Sequence, residues 1–145
     1  MATAMKLTEE MVLLNQRFDS DEAAIRAAGE LLVEHGFVRP AYVEAMQARH
    51  QLSSVYIGNH VAIPHGTEDA KHEVAKSGIS ILQAPEGVPF GAEQAKLIIG
   101  IAGVNDEHLE ILSNIAIICS DEENVERLIQ AKTKQEIIDL LTMEV

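Results

Sequence analysis

The run Leu97-Ile98-Ile99-Gly100-Ile101-Ala102-Gly103-Val104 constrains the fold more than any other stretch of the chain. It is apolar at nearly every position and shows no alternation of apolar with polar residues. A strand reads this way when both of its faces are covered, which places it at the centre of a sheet with helices on either side. Elsewhere apolar segments alternate between strand-like and helix-like periods, the pattern of an α/β protein. The expected fold class is α/β: a single domain over residues 1–145, with a mixed central β-sheet flanked by helices on both faces.

Local signals divide the rest of the chain. Met11-Val12-Leu13-Leu14 reads as a first strand. Ser20 is placed to cap a helix over residues 21–35, with Asp21 and Glu22 in its first turn and Gly36 as the closing glycine. Pro40 opens a second helix at its first position, extending to about His50. Val55-Tyr56-Ile57 and residues 60–63 are short strands around a Gly58-Asn59 turn. Residues 78–83 and 97–104 are stronger strands. Asn105 stands where it would cap a helix over residues 106–119. Ser120 with Glu123, and Thr133 with Glu136, have the spacing of capping boxes before two further helices.

Charge and composition exclude several function classes. The net charge is −12, with a pI near 4.8. Nucleic acid and anionic lipid both need clustered Lys and Arg, so neither is an expected partner, whereas a basic protein surface suits this chain. Aromatic residues make up 3% and Trp is absent, which argues against stacking platforms for sugars or bases. The single cysteine, Cys119, allows no intramolecular disulfide and gives no sign of an oxidising compartment. The segment Met1-Ala2-Thr3-Ala4-Met5-Lys6 lacks a basic start followed by an apolar stretch. The longest apolar stretch, residues 95–104, is interrupted by Lys96 and two glycines and falls short of the roughly 18 residues of a membrane span. The expectation is a soluble, cytoplasmic protein with no direct membrane insertion.

The chemistry points to histidine. In Val61-Ala62-Ile63-Pro64-His65-Gly66 one imidazole is held between Pro and Gly at the end of an apolar run. Proline fixes its own φ and biases Ile63 towards extended backbone, and glycine permits a sharp turn or a close approach. A strand ending this way displays a nucleophile at its mouth. Of the other five histidines, His35 falls at a helix C-terminus, where an imidazolium favours the dipole, and His50 and His72 have polar neighbours that predict solvated rings. A metal set would have to use His60, His65 and His72. On a strand His60 and His65 point to opposite faces, and no Asp, Glu or Cys spacing completes a zinc set, so no metal is expected.

His108 falls at the third position of the helix expected after Asn105, directly beyond the central strand. The carboxyl ends of strands are where open α/β sheets bind ligands. A helix N-terminus disfavours imidazolium, so a neutral His108 would donate one hydrogen bond to an anion while its other nitrogen accepts from a neighbour. A plain first-turn surface residue fits the spacing equally well. Cys119 closes an apolar helix far from any basic cluster and reads as a small inert hydrophobe. Nucleotide-binding glycine motifs and a serine nucleophile elbow are both missing, and no cofactor is expected.

These residues together resemble a known family. Gly58-Asn59-His60-Val61-Ala62-Ile63-Pro64-His65-Gly66 resembles the active-site segment of the enzyme IIA domains of the bacterial sugar phosphotransferase system, mannitol–fructose class. Gly100-Ile101-Ala102-Gly103-Val104-Asn105-Asp106-Glu107-His108-Leu109 looks like the second histidine motif of that class. Arg49, ahead of Ser53-Ser54-Val55-Tyr56-Ile57-Gly58, is similar to the arginine preceding the same strand. The resemblance covers nearly the whole chain. It implies that His65 is phosphorylated on Nε2 by phospho-HPr and passes the group to the cysteine of a sugar-specific enzyme IIB. It also implies that His108 is the second active-site histidine and Arg49 the arginine beside the phosphate. Val55-Tyr56 and the Gly100–Leu109 run look closer to mannitol members, implying a mannitol enzyme IIB as acceptor. The alternative within the class is a regulatory phospho-acceptor of nitrogen or fructose type. One departure is Asn59, where mannitol members can carry Glu, so no role for a carboxylate carries over to that position.

The residues suit such chemistry on their own terms. Phosphoryl transfer asks mainly for positioning and charge stabilisation. A neutral imidazole attacks through a ring lone pair, and an arginine offers charge-assisted hydrogen bonds to phosphoryl oxygens. Glu68, Asp69, Asp106 and Glu107 flank the two histidine motifs and are expected to form an acidic rim for a basic donor protein.

Overall fold

The computed structural model describes residues 7–142. The segment Met1–Lys6, read above for the absence of a leader, lies outside the described residues. Five strands, β1 (Val12–Leu13), β2 (Tyr56–Gly58), β3 (Val61–Ala62), β4 (Gly78–Phe90) and β5 (Glu93–Ala102), form a sheet in the order β1-β4-β5-β3-β2. The apolar run therefore lies mid-sheet, as its composition requires. β1 and β3 run parallel to β4 and β5, while the β4–β5 and β2–β3 pairs are antiparallel, so the sheet is mixed.

Helices cover both faces. α1 (Asp21–Glu34) and α2 (Ala41–Leu52) pack one face, where Ala24, Ile25, Leu32 and Met46 meet Leu82, Ile98 and Ala102. α3 (Glu107–Cys119), α4 (Glu122–Gln130) and α5 (Lys134–Leu141) pack the other, where Ile115, Val125 and Ile137 meet Ile81, Leu97, Ile99 and Ile101. From Leu97 onward, odd and even residues of β5 thus enter different cores, which explains why that part of the strand is apolar at every position. α1 comes very close to the sheet at Gly100. A Cβ there would lie 2.5 Å from Ser80 Oγ and 3.1 Å from Ala28 Cβ, and Ser80 Oγ itself donates to Ala28 O at 2.8 Å. The buried Gln83 is likewise satisfied, donating to Leu128 O and Ala131 O at 3.0 and 2.9 Å.

Capping places several boundaries as expected. Ser20 Oγ accepts from Ala23 N, Gly36 takes φ +77°, and Thr133 Oγ1 accepts from Glu136 N. Pro40 is helical in its dihedrals but precedes the assigned start of α2, and the helix runs two residues past His50. Three expectations fail. Asn105 does not cap α3: it sits in the left-handed region at φ 55°, and the helix begins after Asp106, so His108 is its second residue. Asp121, not Ser120, caps α4, because the Ser120 hydroxyl instead donates to Ile117 O at the end of α3. β4 also continues seven residues past Gln83, forming a long hairpin with β5 after a register shift. Pro85 and Pro89 are tolerated there because β1 pairs only with Ile81 and Leu82, leaving that side of β4 without a ladder.

Candidate active site

Three segments meet at the carboxyl end of β3 and β5. The first leaves β3 through Ile63-Pro64-His65-Gly66. Its pairing with β5 continues beyond the strand: Ile101 N donates to Pro64 O at 2.9 Å, and His65 lies in parallel register with Ile101. The second is the last turn of α2, which carries Arg49. The third is the start of α3, where Gly103 admits His108 so closely that a Cβ at Gly103 would collide with the His108 backbone. His65, Arg49 and His108 line one open cleft of about 640 Å³, together with Tyr42, Thr67, Glu68 and Lys71.

The His65 ring is half-buried and held by one contact. Its Nδ1 lies 2.8 Å from Ile63 O, and a carbonyl can only accept, so Nδ1 carries the proton. Nε2 is then left with a lone pair facing the cleft. Burial pushes the His65 pKa below the ordinary histidine value, the nearby Arg49 guanidinium and His108 push in the same direction, and the Ile63 carbonyl and Glu68 oppose them. The Ile63 contact and the lowered pKa together favour a neutral imidazole whose unprotonated nitrogen is Nε2.

His108 is mostly buried, with its Nε2 3.5 Å from Glu68 Oε1. Its Nδ1 is buried with no hydrogen-bond partner among the described residues, so the expected neighbour that would bond to this nitrogen is missing. A bare lone pair is easier to bury than an unpaired N–H. The proton therefore belongs on Nε2, where it faces the cleft as a donor. His65 and His108 thus present complementary nitrogens, a lone pair from one and an N–H from the other. Arg49 Nη1 donates to Ser53 O at 2.8 Å, which braces the guanidinium across the end of its own helix.

The rim looks different from its sequence-level picture. Lys71 Nζ pairs with Glu68 Oε2 at 3.0 Å and with Asp106 Oδ1 at 3.2 Å, tying the loop after His65 to the loop before α3. Asp69 accepts from the Thr67 hydroxyl, and Glu107 accepts from the Ser77 hydroxyl. All four acidic candidates are already engaged. Beside the cleft stand two exposed leucines, Leu52 at 77% and Leu109 at 56% exposure.

Over residues 5–143 the chain matches the family model of the phosphoenolpyruvate-dependent sugar phosphotransferase system, EIIA 2. The chain belongs to this enzyme IIA family. Its relatives include the mannitol-specific phosphotransferase enzyme IIA component of Bacillus subtilis, 55% identical over 133 residues, which are 91% of this chain and 93% of that protein. The crystal structure of IIA mannitol from Escherichia coli superposes with a TM-score of 0.88 at 42% identity, covering 94% of this chain and 99% of that one. The same fold appears in the complex of enzyme IIA and phosphorylated enzyme IIB of the Escherichia coli mannitol system, with a TM-score of 0.89 at 41% identity over 94% of this chain and 97% of that one. The enzyme IIA family is one of phosphotransferase components, and this chain shares the enzyme IIA fold over 94% of its length.

The remaining histidines do not join the cleft. His50 is not solvated, as its neighbours in sequence suggested: its Nε2 lies 2.9 Å from Asp21 Oδ2, its Nδ1 accepts from Val55 N at 3.2 Å, and its ring packs edge-on against Phe90. His35 is the C-cap of α1, and His72 is exposed beside Glu73. His60 Nδ1 lies 3.0 Å from Gln94 O, at the opposite end of β3. Cys119 is buried and its thiol is pushed up to about 11 by that burial, which suits an unreactive core residue. Asn59 uses its side-chain amide to donate to Cys119 O at 3.1 Å. No helix among the described residues is long and apolar enough to cross a membrane. Sequence reasoning passed over Tyr42, although it stands seven residues before Arg49 and hence on the same face of α2.

Proposed function

We propose that this protein is a phosphoryl carrier in which Nε2 of His65 accepts the phosphoryl group of phospho-HPr and hands it to the cysteine of a mannitol enzyme IIB. The observation that carries this reading is the 2.8 Å contact of His65 Nδ1 with Ile63 O. In the accepting step the P–N bond of phospho-HPr breaks as a P–N bond to His65 Nε2 forms. The ring then bears its positive charge at Nδ1–H, where the Ile63 carbonyl accepts that proton's hydrogen bond. Arg49 and the Nε2–H of His108 offer donors to the phosphoryl oxygens, and such donors act where charge is concentrated during transfer. In the onward step the enzyme IIB cysteine, as thiolate, takes the phosphorus and the electron pair of the broken P–N bond returns to Nε2. The donor arrives already phosphorylated, so the reading calls for no nucleotide.

Three things support the mannitol assignment: the relative named above, the Escherichia coli complex with phosphorylated enzyme IIB, and the near-complete coverage of both. The test is phosphorylation by enzyme I, HPr and phosphoenolpyruvate, followed by addition of mannitol enzyme IIB. The expected product is a single phosphate on His65 that disappears when enzyme IIB is added. His65→Ala should take up none while keeping the circular dichroism and melting behaviour of the wild type, because the ring is only half-buried. A phosphate elsewhere in the chain, or one that persists in the presence of enzyme IIB, overturns the assignment.

A further inference from the structure

Tyr42 has the most exacting environment in the cleft outside the two histidines. Its side chain is 4% exposed, and its hydroxyl makes two hydrogen bonds. It accepts from Gly66 N at 2.8 Å and donates to Ile101 O at 2.8 Å. Burial raises the phenol's pKa, so the proton needed for the second bond stays in place. Gly66 is packed against the ring: a Cβ at that position would lie 2.5 Å from Tyr42 Cε1.

The location of these bonds matters. Where His65 lies in parallel register with Ile101, the ladder calls for Ile101 to donate to residue 64 and accept from residue 66. The first bond is made directly, from Ile101 N to Pro64 O at 2.9 Å. At the second, the Tyr42 hydroxyl stands between the partners, linked to both Gly66 N and Ile101 O. The chain therefore departs from the sheet at Gly66, immediately after His65. Tyr42 also belongs to α2, two turns ahead of Arg49 on the same helical face. One hydroxyl thus joins the helix carrying the arginine, the central strand, and the loop carrying the histidine.

We infer that Tyr42 is a positioning residue, whose hydroxyl fixes the Arg49 helix against the His65 loop and so sets the arginine where the phosphoryl group passes. This rests on the carrier reading above. A rigid joint matters because small misplacements of a charge-stabilising group cost transfer rate steeply. Tyr42→Phe keeps the ring and removes both bonds.

The experiment is steady-state and single-turnover phosphorylation by phospho-HPr of four full-length proteins: wild type, Tyr42→Phe, Arg49→Ala, and the double variant. Tyr42→Phe should lower kcat roughly 10- to 100-fold with KM for phospho-HPr unchanged. In the Arg49→Ala background the same substitution should cost less than about 3-fold, because the group it positions is gone. A merely structural tyrosine would give equal losses in both backgrounds, and that result overturns the inference. So does a Tyr42→Phe rate within about 2-fold of wild type. Gly66→Ala is the second variant and decides the matter if Tyr42→Phe does not fold. Its Cβ pushes the loop off the ring from the other side, and it should reproduce both the loss and the coupling to Arg49. A Gly66→Ala protein as fast as wild type overturns the inference. Mass spectrometry of the wild type separates the two failures: no phosphate on His65 refutes the carrier reading itself, whereas a phosphorylated wild type with an equally fast Tyr42→Phe refutes only the joint.

Discussion

The Ile63 carbonyl fixes which nitrogen of His65 is available, and burial decides whether that nitrogen is free of a proton. The folded-state pKa lies below the ordinary 6.5 because burial disfavours the charged ring, with Arg49 and His108 adding to the effect. The unfolded chain therefore takes up this proton at a higher pH than the folded one. Stability from this group is complete above pH 6.5 and is lost as pH falls through the folded value. Two measurements check the sign. The His65 ring nitrogens, followed by ¹⁵N NMR, should titrate with a midpoint below 6.5. In denaturant melts, the wild type should lose stability relative to His65→Ala as the pH drops below 6.5, with no such divergence above it. A midpoint above 6.5 would mean that Glu68 and the Ile63 carbonyl outweigh burial, Arg49 and His108. Under the proposed carrier reading the same shift serves transfer, since it keeps the Nε2 lone pair available over a wider pH range than an exposed histidine would.

At the scale of elements, α1 packs tightly against β5 across Gly100. Gly100→Ala would place a methyl 2.5 Å from Ser80 Oγ and 3.1 Å from Ala28 Cβ. The Ser80 hydroxyl is fully buried and donates to Ala28 O, so it cannot swing aside without leaving its own O–H unpaired. The substitution should destabilise the fold by about 1–3 kcal/mol, seen as a lower Tm, while His65 remains phosphorylatable in the folded fraction. An unchanged Tm would show that α1 can retreat freely from the sheet. This contact also illustrates what the sequence makes legible. β5 declared its central position through local composition, and Ser20 and Thr133 declared helix starts through side chains acting three residues away. Pro64-His65-Gly66 announced a displayed imidazole in the same local way. The failures have nonlocal causes. Asn105 and Ser120 are good caps in isolation, but the turn into α3 and the end of that helix claim them for other conformations. His50 looked solvated because its partners, Asp21 and Phe90, come from distant elements. Tyr42 bonds Gly66 and Ile101, 24 and 59 positions away, and no local pattern encodes such a joint.

For the whole molecule, the net charge of −12 sets how a partner approaches. Near the cleft, Glu68 and Asp106 are both neutralised in part by Lys71, and Asp69 and Glu107 are engaged by hydroxyls. The attraction for a basic donor protein therefore comes from the summed field of the surface more than from any one rim carboxylate. Such a field speeds encounter and is screened by salt, while the chemical step inside the complex is not exposed to it. Raising ionic strength from about 0.05 M to about 0.5 M shortens the screening length from over 10 Å to roughly 4 Å, so the bimolecular rate of phosphorylation by HPr should fall. Single-turnover transfer within the preformed complex should stay the same. Asp69→Asn should shift the bimolecular rate much less than this change of salt does, since it removes one charge of many. If that single substitution matched the salt effect, a local rim would be steering the donor. A bimolecular rate flat across the salt range would remove electrostatics altogether and leave the exposed Leu52 and Leu109 beside the cleft as the basis of docking.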